Sequence, residues 1–96
     1  MSYRLWWRRN DGIGGHVWLS AADMRALTEE MLLQGMAWPA EALETGEEKI
    51  VFTAAEIEDA LEGASDQALI ADGKLWRDWL GFLDGAARNG GILIRT

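Results

Sequence analysis

The chain predicts an α+β fold: a small mixed sheet of about four strands with helices packed mainly on one face. Three observations point there. Residues 3–9 and 16–20 alternate side-chain character across a glycine-rich linker, the pattern of a β-hairpin. "LSAAD" at 19–23 and "FTAAE" at 52–56 each set a hydroxyl cap behind a strand-like run, so a strand hands over directly to a helix twice. Residues 74–88 carry an apolar arc wide enough for the main core helix, and "ILIRT" follows as a last strand. Helices mixed with strands that can pair antiparallel make α+β the class.

The hairpin comes first. "NDGIGG" holds Asp11-Gly12 and two more glycines between its strands, which is turn chemistry. With Arg8 opposite His16, Trp6 faces Trp18 and Arg4 faces Ser20. This even register gathers Tyr3, Leu5, Trp7, Val17 and Leu19 on one apolar face. Trp7 is then a core residue. Trp6 lies on the other face, with Arg4, Arg8, His16 and Trp18.

Ser20 caps the first helix, with Asp23 in the acidic third position, and Met24, Leu27 and Met31 form its buried stripe. Gly35 ends it in a left-handed conformation. "MAWPAEALETGEE" is a loop, where Pro39 disfavours helix at Trp38. Lys49-Thr53 is the third strand, and its nearly continuous apolar run suggests an interior place in the sheet. Thr53 and Glu56 form a capping box for the second helix, which Gly63 ends. One extra helical turn is expected around Gln67–Ile70. Asp72 caps the last helix, Lys74–Arg88. Asn89-Gly90-Gly91 ends that helix, and Ile92-Thr96 is the fourth strand. The two strand–cap–helix segments do not match beyond the caps, so they are two copies of a local solution rather than a repeat.

Ninety-six residues, 49% hydrophobic and 26% charged, make one ordinary globular domain. There is no cysteine, so no disulfide or thiolate site is available, and the six tryptophans should dominate the core. No leader-like or membrane-spanning run is visible, so the chain reads as soluble and cytoplasmic. The net charge of −7 is uneven: residues 1–20 carry +2, residues 21–66 carry −10 and residues 67–96 carry +1. Solvated acidic helix faces account for the middle segment. The acidic balance speaks against nucleic acid, which needs a basic footprint.

Signals for catalysis are thin. His16 is the single histidine, and no nucleophile motif surrounds Ser2, Ser20 or Ser65. Zinc lacks its Cys and His cluster, and neither "DALEGASD" nor "ETGEE" has calcium-loop spacing. Glu47-Glu48 reads as a solvated pair. The glycines of "GIGG" lead into a strand and not a helix, which removes the phosphate-loop reading. No pair of acids is set apart in an apolar context, as glycosidase chemistry requires. No cofactor or metal is expected.

One surface stands out: Arg4, Trp6, Arg8, His16 and Trp18, cationic and aromatic groups interleaved on neighbouring strands. The plain structural reading is a cross-strand Trp6–Trp18 pair with arginines across the rings, or a face buried by a further segment. The functional reading is protein binding, since Trp and Arg lead interface hot spots. Gly81 and Gly85, on the outer side of the last helix, would let a neighbouring copy approach closely. A groove for an anionic aromatic ligand or a single strand is the third reading. The expectation is a small acidic, non-catalytic protein-binding module. It would act by homo- or hetero-association, in an accessory or immunity-like role, in a process the residues do not name. The alternative is a small-molecule domain with an aromatic pocket between the hairpin and the last helix, lined by Trp76 and Trp79.

Overall fold

A computed structural model describes residues 2–9, 15–38 and 49–95. The elements are β1 (Ser2–Trp7), β2 (His16–Ser20), α1 (Ala21–Leu33), β3 (Lys49–Thr53), α2 (Ala54–Glu62), α3 (Gly73–Arg88) and β4 (Gly91–Arg95). The four strands form one sheet in the order β2-β1-β4-β3, and every pairing is antiparallel. The α+β class with four strands is as expected, and the sheet is antiparallel throughout rather than mixed. The Asp11-Gly12 turn, the Pro39 loop and the Glu47-Glu48 pair lie outside the described residues.

The caps form as their chemistry dictates. Ser20 Oγ accepts the Asp23 N–H at 3.0 Å, and Asp72 Oδ2 accepts the Leu75 N–H at 3.0 Å. At Thr53 the box is complete: its hydroxyl accepts from the Glu56 N–H, and the Glu56 carboxylate accepts from the Thr53 N–H. Thr53→Ala should therefore cost about 1 kcal/mol in chemical denaturation, with the native circular dichroism kept. At the other end of α1, Gly35 has φ +75°. The Met36 N–H reaches Met31 O and the Gly35 N–H reaches Leu32 O, the paired bonds of a Schellman cap, with Met31 and Met36 both buried. Residues 64–72 contain no helical turn, so the one expected at Gln67–Ile70 is absent. The backbone N–H groups of Leu69, Ile70 and Ala71 point instead at a side chain of α1, described below.

The core is the helix-facing side of the sheet. Leu5, Leu19, Ile50, Phe52, Ile92 and Ile94 meet Met24, Leu27 and Met31 of α1, Ile57 and Ala60 of α2, and Trp76, Trp79 and Leu83 of α3. Aromatic rings run through it in contact: Phe52 to Trp38 at 4.8 Å, Trp38 to Trp79 at 5.7 Å, Trp79 to Phe82 at 6.0 Å and Phe82 to Trp7 at 5.9 Å. Trp7 donates its indole N–H to Phe82 O at 3.0 Å.

Two expectations are corrected. β3 is an edge strand, not an interior one. Its apolar run is continuous because Val51 lies on the open side while Ile50 and Phe52 are buried, not because both faces are covered. The hairpin register is also shifted by two residues: Trp6 pairs with His16, Arg4 with Trp18 and Ser2 with Ser20. The cause is at the strand end. Trp7 N–H closes the hairpin on Gly15 O, and Arg8 and Arg9 turn away to bond Gly91 O and Asn89 O. A shift of two keeps every side chain on its face, so the division into a core face and an Arg/Trp face holds.

Candidate functional site

All three helices pack on the core side of the sheet. Among the described residues no element covers the other side, which presents two rows running across the strands. One row is Trp18, Arg4, Arg95 and Lys49, joined by the pairings of Arg4 with Trp18, Arg4 with Arg95 and Lys49 with Arg95. The next row is His16, Trp6, Leu93 and Val51. With neighbouring strands about 4.8 Å apart, each row spans roughly 14 Å.

The first row is basic. The four strands hold no aspartate or glutamate, and their charged residues are Arg4, Lys49 and Arg95. Like charges directly opposite one another in a sheet are destabilising by a few tenths of a kcal/mol or more per pair. Here two such pairings stand side by side. The ion pairs of the described residues lie elsewhere, at Lys74–Asp78 and Asp84–Arg88 on α3. Arg4 is partly accommodated by Trp18, its guanidinium 5.0 Å from the ring centroid. Among the described residues Arg95 and Lys49 have no such neighbour.

The second row is aromatic and aliphatic. Trp6 stacks on His16 with centroids 5.2 Å apart and planes inclined by 20°. Trp18 is 61% exposed and Val51 42% exposed. Trp6 is half-buried by its neighbours in the row. The Trp6–Trp18 cross-strand pair does not form, because the two-residue shift gives each indole a cationic or imidazole partner instead.

The structure therefore brings Arg4, Trp6, His16 and Trp18 together as expected. Arg8 is exposed but stands beyond the end of β1, where its N–H bonds Gly91 O, and not opposite His16. Sequence reasoning missed Lys49, Val51, Leu93 and Arg95. Their place on this face depends on strand order, for which local pattern has no signal. The chain matches no protein-family model, no curated protein and no solved structure.

Among the described residues Trp76 and Trp79 line no open pocket. They are 0% and 2% exposed, and their indole N–H groups bond Ser65 O at 2.8 Å and Met31 Sδ at 3.3 Å. Both are structural members of the core. Nor is Gly85 open to a neighbouring copy: a Cβ there would overlap the Trp7 ring, so the glycine is the seat of that indole. Gly81 does face open space. Among the described residues no three Asp, Glu or His side chains converge as a metal site would need, and no helix is long and apolar enough to cross a membrane.

Proposed function

We propose that this chain is a non-catalytic, cytoplasmic protein-binding module whose open sheet face takes an acidic amphipathic segment of a protein partner. The observation that supports this reading is the Arg4–Arg95–Lys49 row. Three cations on adjacent strands repel one another, and among the described residues no acid pairs with them. An anionic partner does. The parallel row of Trp6, Leu93 and Val51 asks the same partner for apolar side chains about one residue-row away. A helix laid across the strands meets both demands, since its 5.4 Å turn is close to the roughly 4.8 Å strand spacing. One stripe of carboxylates then follows the cations and the adjacent aliphatic stripe covers the indoles. Binding of this kind places aromatic anchors at the centre and charge steering around them.

A single-stranded nucleic acid would use the same residue types. A protein segment is favoured because the patch is short and the rest of the chain is acidic, with a net charge of −7. A long polyanion running off the patch meets like charge.

The probe is a 14-residue peptide of glutamate and leucine in amphipathic helical order, titrated while tryptophan emission is read. Saturable binding that weakens with salt is expected. Trp18→Ser and Arg95→Glu should each weaken it at least tenfold, with stability within about 0.5 kcal/mol of wild type because both positions are exposed. No saturable binding would overturn the proposal. So would a twelve-residue oligothymidylate that binds more tightly than the peptide.

A further inference from the structure

Away from the sheet, the chain carries a second exposed apolar surface of opposite character. Leu32 and Leu33, in the last turn of α1, are 53% and 58% exposed, and Leu69 and Ile70 of the connector before α3 are 68% and 57% exposed. Glu29, Leu32, Leu33 and Ile70 line a shallow cavity of about 400 Å³. Isolated exposed leucines are ordinary, but a cluster of four with a cavity is the form an interaction site takes.

This surface is electronegative for three reasons. Glu29 stands in its wall. Glu30 is buried directly beneath as a carboxylate, bonded to the N–H groups of Leu69, Ile70 and Ala71. The C-terminal ends of α1 and α2 also meet here, since a Cβ on Gly63 would lie 3.2 Å from Gly35 O. Neither helix has a basic residue in its last turn, so their negative dipole ends are uncompensated. The end of α1 is thus itself an acidic amphipathic helix edge, with Glu29 beside Leu32 and Leu33. One turn earlier Arg25 reverses the charge, which limits the matching stretch to the last two turns.

We propose that the chain associates with itself head to tail. The sheet face of one copy, centred on Arg4, Trp18 and Arg95, takes the Glu29–Leu32–Leu33–Ile70 surface of the next. The proposal rests on reading the sheet face as a protein-binding surface and names a second copy as its occupant. Symmetric pairing is disfavoured on both sides: two sheet faces would oppose their cations, and two α1 ends would oppose Glu29 and the helix dipoles. Only the unlike pair is complementary. Such a contact is heterologous, so it closes into a ring or runs on as a chain.

The test uses light scattering after size exclusion, from about 5 μM to about 1 mM. Wild type should gain mass with concentration and lose it with salt. A sheet-face variant (Trp18→Ser with Arg95→Glu) and an α1-end variant (Leu33→Ser with Ile70→Ser) should each be a folded monomer. Mixed in equal amounts they should form one dimer and stop, because each retains the surface the other lacks. Arg4→Glu and Leu32→Ser replace either pair should circular dichroism show misfolding. Three results would overturn the proposal: a wild type monomeric throughout, a mixture that stays monomeric, or either variant dimerising alone. If wild type is monomeric yet the Glu/Leu peptide binds, self-association falls and the binding-surface reading stands. If neither occurs, both fall.

Discussion

Glu30→Gln should lower the stability of the folded domain by about 3 kcal/mol at neutral pH, a fall in Tm of roughly 12–24 °C for a chain of this size. Glu30 is 0% exposed. Burial alone would push its carboxyl pKa up. The N–H groups of Ala71, Ile70 and Leu69 and the Gln34 side chain more than offset this, and hold the pKa down to about 2. The bonds run from 2.7 to 2.9 Å: Ile70 at 2.7 Å, Ala71 at 2.8 Å, and Leu69 and Gln34 at 2.9 Å. Charge-assisted bonds of this length are the strong ones. They fasten the connector to α1, and they explain why residues 69–71 are not helical: their N–H groups are already spent on a carboxylate. A glutamine keeps one acceptor oxygen but turns an NH₂ group toward donors.

The same group sets a pH dependence. A carboxylate whose folded pKa lies below its unfolded value of 4.5 contributes stability that is present above pH 4.5 and lost as pH falls toward 2. The full shift corresponds to about 3 kcal/mol. Solvent lies just beyond the thin connector that covers the group, and its screening trims the contribution to about 2–3 kcal/mol. The wild type and Glu30→Gln should therefore differ most near pH 7 and converge near pH 2 in denaturant titrations. Parallel curves at all pH values would show that the carboxylate charge is not what holds the connector.

Much of the fold was legible because the relevant physics is local. Ser20, Thr53, Asp72 and Gly35 mark helix ends through bonds that reach only a few residues. The face of each hairpin residue survives an error of two in register, since side-chain direction repeats every second residue. What failed was non-local. No pattern within Lys49-Thr53 says that its neighbour is β4, so neither its edge position nor the Arg4–Arg95–Lys49 row could be read. Glu30 did leave a trace. It sits three residues after Leu27 and beside Met31, inside the apolar stripe of α1, where an acid requires a special partner. Leu32 and Leu33 lie off that stripe, which was the available sign of the second apolar surface.

Gly85 gives the other large effect, and its sign separates packing from helix propensity. Alanine is favoured over glycine inside a helix by about 1 kcal/mol, and Gly85 is in the fourth turn of α3. On propensity alone Gly85→Ala stabilises. In the folded chain the new methyl would overlap Cζ2 of Trp7, whose indole packs against this glycine. The opposite end of the ring is confined as well: a Cβ on Gly15, at φ +69°, would stand 2.6 Å from Trp7 Cε3. With its N–H held by Phe82 O, the ring has nowhere to retreat. Overpacking should win, leaving Gly85→Ala less stable by about 2 kcal/mol. Trp7→Leu should itself cost about 3 kcal/mol, through lost volume and the lost indole bond. In that background the alanine meets open space, and Gly85→Ala should become stabilising by up to about 1 kcal/mol. A double-mutant cycle by urea denaturation reads the reversal directly. If Gly85→Ala were destabilising by the same amount with and without the indole, Trp7 would not be what the glycine accommodates. The adjacent tryptophans at 6 and 7 would then divide less cleanly than the structure has them, Trp7 clamped between two glycines in the core and Trp6 stacked on His16 at the open face.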